Sequence, residues 1–404
     1  MLKDYETHTM RRHFRFGHTP LIIYLAFLNA FVPISTDLYL AALPGMTEVF
    51  SCPRWMADLT ISGFMLFFAL SMLIWGPLSD RYGRKPALTV GLALYAAASV
   101  LCLVAVNIYM LVAGRVLQAI GSGAVCSVSM AIVKDVFKGE AVEKVLVWMQ
   151  TMSTLAPMLA PVLGAVLLKV TSWRGLFVTL LCCAVAGLAL LPALKETLRN
   201  PTDGNCFAAM KRVAVVLKNP SLTRLLLLFS ISAMPFMAYL TSSAFIYIRF
   251  FGLSEQKFSF FFAANAFCSV IGALAYSCFF RYLSRRAFIS MVFAAMTASG
   301  IGLFMAGEAG PEHFLLLYLP LTFFAAASRP LATLLIFSQQ DTDNGTVAAL
   351  IGCGALSCGS LSMMICSLPF PSPVLPVAGM ATGIGVLCLV LWLIIDGKKL
   401  YRAP

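Results

Sequence analysis

The sequence predicts an all-α membrane protein with twelve transmembrane helices in two six-helix bundles, and three observations carry that prediction. The first is composition. Of the 404 residues, 60% are hydrophobic and 11% are charged, whereas soluble domains run at roughly 45–50% apolar and about 25% charged. The second is spacing. A helix needs about 20 apolar residues to cross a bilayer core. Segments of that length lie near 20–43, 56–77, 87–105, 109–131, 145–168 and 174–194, and near 222–248, 258–280, 287–306, 313–337, 346–368 and 374–395. The third is punctuation: 195–221 is the one long polar interval between them. The expected organisation is a tail at 1–19, a bundle at 20–194, a linker at 195–221, a second bundle at 222–395 and a tail at 396–404.

Charge placement orients these spans. With the N-terminus in the cytoplasm, the tails and the loops on that side hold 22 of the 29 Lys and Arg residues. The opposite side holds five, Arg54, Lys169, Arg174, Arg249 and Lys257, and two more, Arg115 and Arg329, fall inside spans. Basic loops stay cytoplasmic, so both termini are expected there. The same asymmetry accounts for the net charge of +12 without a nucleic-acid partner. The first 19 residues are polar and show no signal-peptide pattern, so the first apolar segment is expected to stay as a signal anchor. In the linker, Phe207, Met210, Ala214 and Leu217 fall at helical spacing opposite Lys211, Arg212 and Lys218. That pattern predicts a basic amphipathic helix on the anionic leaflet.

Several chemistries are disfavoured. Cys102, Cys126, Cys182, Cys183, Cys268 and Cys388 lie in apolar stretches and read as small hydrophobes; no disulfide framework or metal spacing follows. His8, His13, His18 and His313 lie outside the spans or at their edges, which leaves no histidine relay. There is no His-Glu-x-x-His, no paired intramembrane aspartates and no Gly-x-Ser-x-Gly, so a membrane-embedded enzyme is not expected, and no cofactor is implied. No ring of like polar residues suggests a channel. Two bundles around a central cavity suit a secondary transporter with its site near the midplane.

The second span ends in GPLSDRYGRKP, residues 76–86. Its tight turn calls for Gly83; Asp80 can face a helix N-terminus; Arg81, Arg84 and Lys85 can meet phosphates or carboxylates. Gly76, Leu78, Asp80, Arg81, Gly83, Arg84 and Lys85 together match the signature loop of the major facilitator superfamily, and the sequence resembles that family. The resemblance implies a latch that holds the two bundles in the outward-facing state. The corresponding loop of the second half, RYLSRR at 281–286, lacks the Asp and Gly.

Further motifs extend the likeness. The fourth span carries GRVLQAIGSGA, residues 114–124. Arg115 in a lipid-buried segment marks a functional site or snorkels to the interface; Gln118, three residues on, shares its face. The pair is similar to the family's Arg-x-x-Gln-Gly motif, with Ala119 in place of Gly, and the resemblance ties Arg115 to proton transfer. In the fifth span, Pro157 and Pro161 lie on one face, with Gly164 after them. They read as a kinked packing helix or as the antiporter-type Gly-Pro-x-x-Gly-Gly motif, with Ala160 and Ala165 replacing two glycines. The resemblance implies a hinge between bundles.

The first span contains ISTDLYLAALP, residues 34–44. Asp37 is the one acid placed well inside a span; Asp58 falls near the end of the second. The stretch resembles the first-helix signature of the bicyclomycin/chloramphenicol-resistance (Bcr/CflA) subfamily of twelve-span drug:proton antiporters. That likeness makes Asp37 a protonation site linked to substrate, with Arg115 its expected charged neighbour. Ala41 stands where Pro is usual and predicts a straighter first helix. Asn29, two turns away near the same face, takes the place of a second carboxylate. Gln150, Tyr239, Tyr247 and Asn265 line a cavity or bond between helices, and the sequence leaves both readings open; Tyr39 and Gln118 join them as candidate substrate-binding residues. Arg329 either binds an anionic substrate or snorkels toward the cytoplasm.

Function follows as an expectation: proton-coupled export of drugs or other small amphipathic molecules across a bacterial inner membrane. The partners are a small-molecule substrate, protons and lipids, and the chain is expected to be a monomer. An anionic metabolite, such as a metallophore or an amino-acid derivative, is the second substrate class.

Overall fold

The computed structural model describes residues 18–138, 140–198, 206–278, 282–340 and 344–402. The first half runs α1 (His18–Asn29), α2 (Phe31–Leu40), α3 (Leu43–Val49), α4 (Arg54–Tyr82), α5 (Arg84–Leu103), α6 (Ile108–Val136), α7 (Glu140–Val170) and α8 (Trp173–Leu190). Then come α9 (Cys206–Leu217), α10 (Pro220–Ser232), α11 (Met234–Ala244), α12 (Glu255–Cys278), α13 (Arg285–Ala306), α14 (Pro311–Phe337), α15 (Asn344–Cys366) and α16 (Val374–Gly397). A π-helical stretch, Phe245–Phe250, continues α11.

Among the described residues, ten helical runs are long and apolar enough to cross a bilayer, and the bent pair α1–α2 makes an eleventh. The 31-residue α7 has the length of a twelfth. α9 lies where the sequence predicts the amphipathic linker helix.

The first span is not straight. Its two segments meet at 47°. Pro33 has no N–H to offer the carbonyl four residues back, and Pro44, near the start of α3, repeats the loss. Ala41 therefore fails to straighten the chain: the helix ends at Leu40 and restarts at Leu43. α7, by contrast, runs unbroken through both of its prolines.

Two bundles pack along two seams, α4 against α15 and α7 against α12. We call the end holding residues 18 and 402 the termini end, and its opposite the distal end. One continuous apolar core joins both bundles in the distal half, through residues such as Leu43, Met46, Phe245, Phe262 and Phe314. The termini half of the second bundle has a separate core around Leu225, Phe288, Leu335 and Trp392. Hydrogen bonds between bundles also cluster distally. Ser259 Oγ donates to the Pro161 carbonyl at 3.0 Å, Gln256 Nε2 to that of Ala165 at 3.2 Å, and Ser360 Oγ to that of Ser62 at 2.6 Å. Gly164 brings α7 against α2 so closely that an added Cβ would lie 2.2 Å from the Leu38 carbonyl oxygen.

Candidate functional site

Arg115 sits mid-bundle on α6 with no exposed surface, so it does not snorkel. Its Nη1 donates to Gln118 Oε1 at 2.8 Å and to Ser35 Oγ at 3.1 Å, and its Nε to the Thr60 carbonyl at 3.3 Å. Its guanidinium lies 4.4 Å from the Phe64 ring centre and 5.4 Å from that of Tyr39. Around this shell, Tyr95 donates to Ser35 at 2.8 Å, Gln118 Nε2 to Ser99 at 2.8 Å, and Thr60 to the Tyr39 hydroxyl at 3.4 Å. Every partner is neutral, and Nη2 is buried without one. The local spacing Arg115-x-x-Gln118 is visible in the sequence. Ser35, Tyr95, Ser99 and Thr60 come from three other helices and were not singled out.

Asp37 is 3% exposed and accepts a hydrogen bond from Thr36 Oγ1 at 3.1 Å. It does not pair with Arg115. The helix geometry explains why. Successive residues turn by about 100°, so Ser35 and Tyr39 share one face and both reach Arg115, while Asp37 between them points away. Asp37 and the Arg115 shell, expected together from the sequence, thus occupy opposite faces of α2.

The other candidates divide clearly. Tyr39 belongs to the Arg115 shell. Asn29 Nδ2 donates to the Met149 carbonyl at 3.3 Å, tying α1 to α7. Asn265 accepts from Thr322 at 2.7 Å and so bonds between α12 and α14. Tyr239 is stacked on Tyr318 at 4.4 Å, with Phe262 and Phe314 beside it; its hydroxyl is buried without a well-formed hydrogen bond. Arg329 is exposed, and its guanidinium lies 5.4 Å from the Phe236 ring on α11. Arg329 lies in the termini half of α14, and helical side chains lean toward the helix N-terminus. Its charge therefore leans toward mid-membrane and not toward the termini end, which removes the snorkelling reading. The side chains of Gln150 and Pro157 lie outside the described residues.

The signature loop forms a compact knot. Gly83 adopts φ +100°, and a Cβ there would lie 2.6 Å from Glu196 Oε2. Arg84 pairs with Asp80, with Asp135 at 2.8 Å, and with Ser79 Oγ at 2.7 Å. The carboxylate seated on the N-terminus of α5 is that of Glu196, which the sequence reading missed because it lies more than 100 residues away. It accepts from the backbone N–H of Arg84 (2.9 Å), Lys85 (3.1 Å), Thr197 (2.9 Å) and Leu198 (2.9 Å). Partial burial pushes this carboxyl up, and the four N–H groups more than offset that, leaving it below its ordinary value. Arg81 stacks on Tyr82 at 5.2 Å, and Gly76 has open space around it.

Residues 25–363 match the model of the Major Facilitator Superfamily. The chain belongs to that superfamily and is a membrane transporter. It is 28% identical over 349 residues to the uncharacterized MFS-type transporter YdgK of Bacillus subtilis (strain 168), covering 84% of this chain and 87% of that one. It is 35% identical over 166 residues to the multidrug resistance protein MdtL of Escherichia coli O139:H28, covering 41% of this chain and 42% of MdtL. Among solved structures, a peptide transporter POT in complex with sulfate superimposes with a TM-score of 0.74 at 17% identity, over 96% of this chain and 97% of the other. A D-xylose-proton symporter does so with 0.70 at 13% identity, over 93% and 97%. These likenesses establish the superfamily fold, two six-helix bundles.

Proposed function

We propose that this transporter is a proton-driven exporter of drugs or other small amphipathic molecules, a drug:H+ antiporter of the bicyclomycin/chloramphenicol-resistance type in a bacterial inner membrane. One observation carries the reading: Asp37 is a buried carboxylate with no cation paired to it, on the face of α2 turned away from the Arg115 shell. Similarity to the multidrug resistance protein MdtL supports the substrate class. The Lys and Arg count supports a cytoplasmic termini end and a distal end that faces outside. The distal core and hydrogen bonds then describe a conformation closed to the outside.

Alternating access needs only that proton and substrate favour different states. Facing outward, Asp37 takes a proton. Facing inward, substrate entering from the cytoplasm displaces it. Arg115, buried and unpaired, responds to the charge on Asp37 through the protein and not through a salt bridge. One carboxylate in the central region makes one proton per cycle the simplest stoichiometry. Asp37→Asn should abolish efflux driven by a pH gradient in proteoliposomes while substrate binding persists; full active transport by that variant sinks the assignment.

Arg329 favours a second reading. Its guanidinium, over the Phe236 ring, leans toward mid-membrane and suits a carboxylate-bearing substrate, such as a metallophore or an amino-acid derivative. Arg329→Ala should then lose carboxylate export and keep export of cationic and neutral drugs. Equal loss of both classes argues against an anionic substrate.

A further inference from the structure

A second buried acid lies at the distal seam. Asp58, in the second turn of α4, is 1% exposed. Its Oδ2 accepts from Arg54 Nε at 3.2 Å. Its Oδ1 is buried and has no hydrogen bond. Arg54 reaches across the seam: its Nη2 donates to Ser242 Oγ at 3.2 Å, and its guanidinium sits 4.4 Å from the Phe245 ring centre. Beside it, Arg249 donates to the Pro44 carbonyl at 3.1 Å and pairs with Glu48 at 2.5 Å. Phe245 and Arg249 belong to the π-helical stretch, whose i→i+5 winding brings them to the same face. Above them a cavity of about 710 Å³ opens, lined by Arg54, Trp55, Phe245, Arg249, Phe250 and Phe370 among others. These contacts close the distal end of the transporter.

The bare Oδ1 decides the sign. A buried carboxylate oxygen without a donor costs the closed state, because nothing replaces the water it lost. A proton on Oδ1 removes that cost. Arg54 loses little, since its side chain keeps 22% exposure to the cavity, its Ser242 bond and its place over Phe245. The charged and titratable groups around Asp58 are Arg54 on its own helix, Tyr39 on α2 and Cys366 at the end of α15. Arg115 on α6 stands behind Tyr39, and the Arg249–Glu48 pair stands beyond Arg54. None of them supplies a donor to Oδ1.

We propose that Asp58 is a proton-sensing closure residue: it takes a proton from water at the open distal end, and the protonated carboxyl favours closing. The proton enters on Oδ1 and returns to the same water when the end reopens, so Asp58 adds nothing to the transport stoichiometry set by Asp37. Resting on the exporter reading, this would let external protons commit the emptied transporter to its return step.

The test separates the two ideas. Place spin labels through p-acetylphenylalanine at Val106 and Ala309, exposed positions in distal loops of the two bundles, and measure their separation in nanodiscs. Between about pH 8 and pH 5, the wild-type open-to-closed ratio should fall, by up to about tenfold per pH unit for one proton. Asp58→Asn, which imitates the protonated form, should be closed across the range and show no pH dependence. Asp37→Asn, which removes the transport proton, should still close the distal end on acidification, and adding Asp58→Asn to it should remove that remaining response. If Asp58→Asn is poorly folded, Ser367→Ala serves instead: it removes a hydroxyl that interacts with the charged carboxyl and should move the midpoint to higher pH. An Asp58→Asn or Ser367→Ala profile that matches wild type overturns the proposal, as does opening on acidification. The exporter reading stands or falls separately, on transport by Asp37→Asn.

Discussion

Arg115 and Arg84 are both buried guanidiniums, and the chain treats them in opposite ways. Arg84, at the termini end, meets two carboxylates and a hydroxyl. Arg115 meets a hydroxyl, an amide oxygen, a backbone carbonyl and two aromatic faces, and one of its nitrogens meets nothing. Taking a cation out of water costs several kcal/mol, which pairing can offset. Arg84 is offset and holds its loop in place. Arg115 is offset by no carboxylate, and on the proposed reading it answers to negative charge arriving nearby, whether on Asp37 or on a substrate. A cation kept unpaired at such cost responds to charge; a paired one holds structure.

The sharpest way to break this contrast is to delete each arginine. Arg84→Ala takes the shared guanidinium from Asp135 and Asp80 and should cost about 3 kcal/mol, the low end of the range because Asp80 is 46% exposed. Unfolding in detergent would read it. Arg115→Ala removes an unpaired charge as well as its contacts, so it should cost less stability while abolishing the proton-driven transport proposed above. If Arg115→Ala is the less stable of the two, the contrast fails.

Glu196 tests the paired side more gently. Glu196→Gln keeps one acceptor oxygen and loses the charge, and should cost about 1–2 kcal/mol. The pH dependence carries the sign. The folded carboxyl lies below its ordinary value, so its contribution is complete above the ordinary range of about 4.3 and disappears as pH falls through the folded value. Acid unfolding curves of wild type and Glu196→Gln should therefore converge at low pH.

What the sequence made legible depended on distance along the chain. Spans, the Arg115–Gln118 pair and the Gly83 turn are local patterns, and the structure bears out their geometry. The bend in the first span was half legible: Pro33 stands in the sequence where the chain turns, and Ala41 in place of a proline does not undo its effect. Glu196 was invisible because it caps a helix that begins at Arg84. Asp58 stands four residues from Arg54, a spacing plain to see, yet its meaning comes from Ser242 and Phe245 across the seam. The separation of Asp37 from Arg115 needed only the rotation of α2, but nothing in the sequence says which face of that helix meets α6.

The smallest change sharpens the comparison most. Ser35→Ala leaves the Arg115 Nη1 and the Tyr95 hydroxyl each one acceptor short, worth about 1 kcal/mol. Ser79→Ala takes from Arg84 a hydroxyl bond of similar length, 2.7 Å against 3.1 Å. Both should lower stability slightly. If Arg115 is responsive and Arg84 structural, the pH profile of transport should shift only in Ser35→Ala, with substrate KM unchanged, because Arg84 keeps its carboxylates and Arg115 has no charge to fall back on. Equal profiles in the two variants would make Arg115 a packing residue like any other buried polar group.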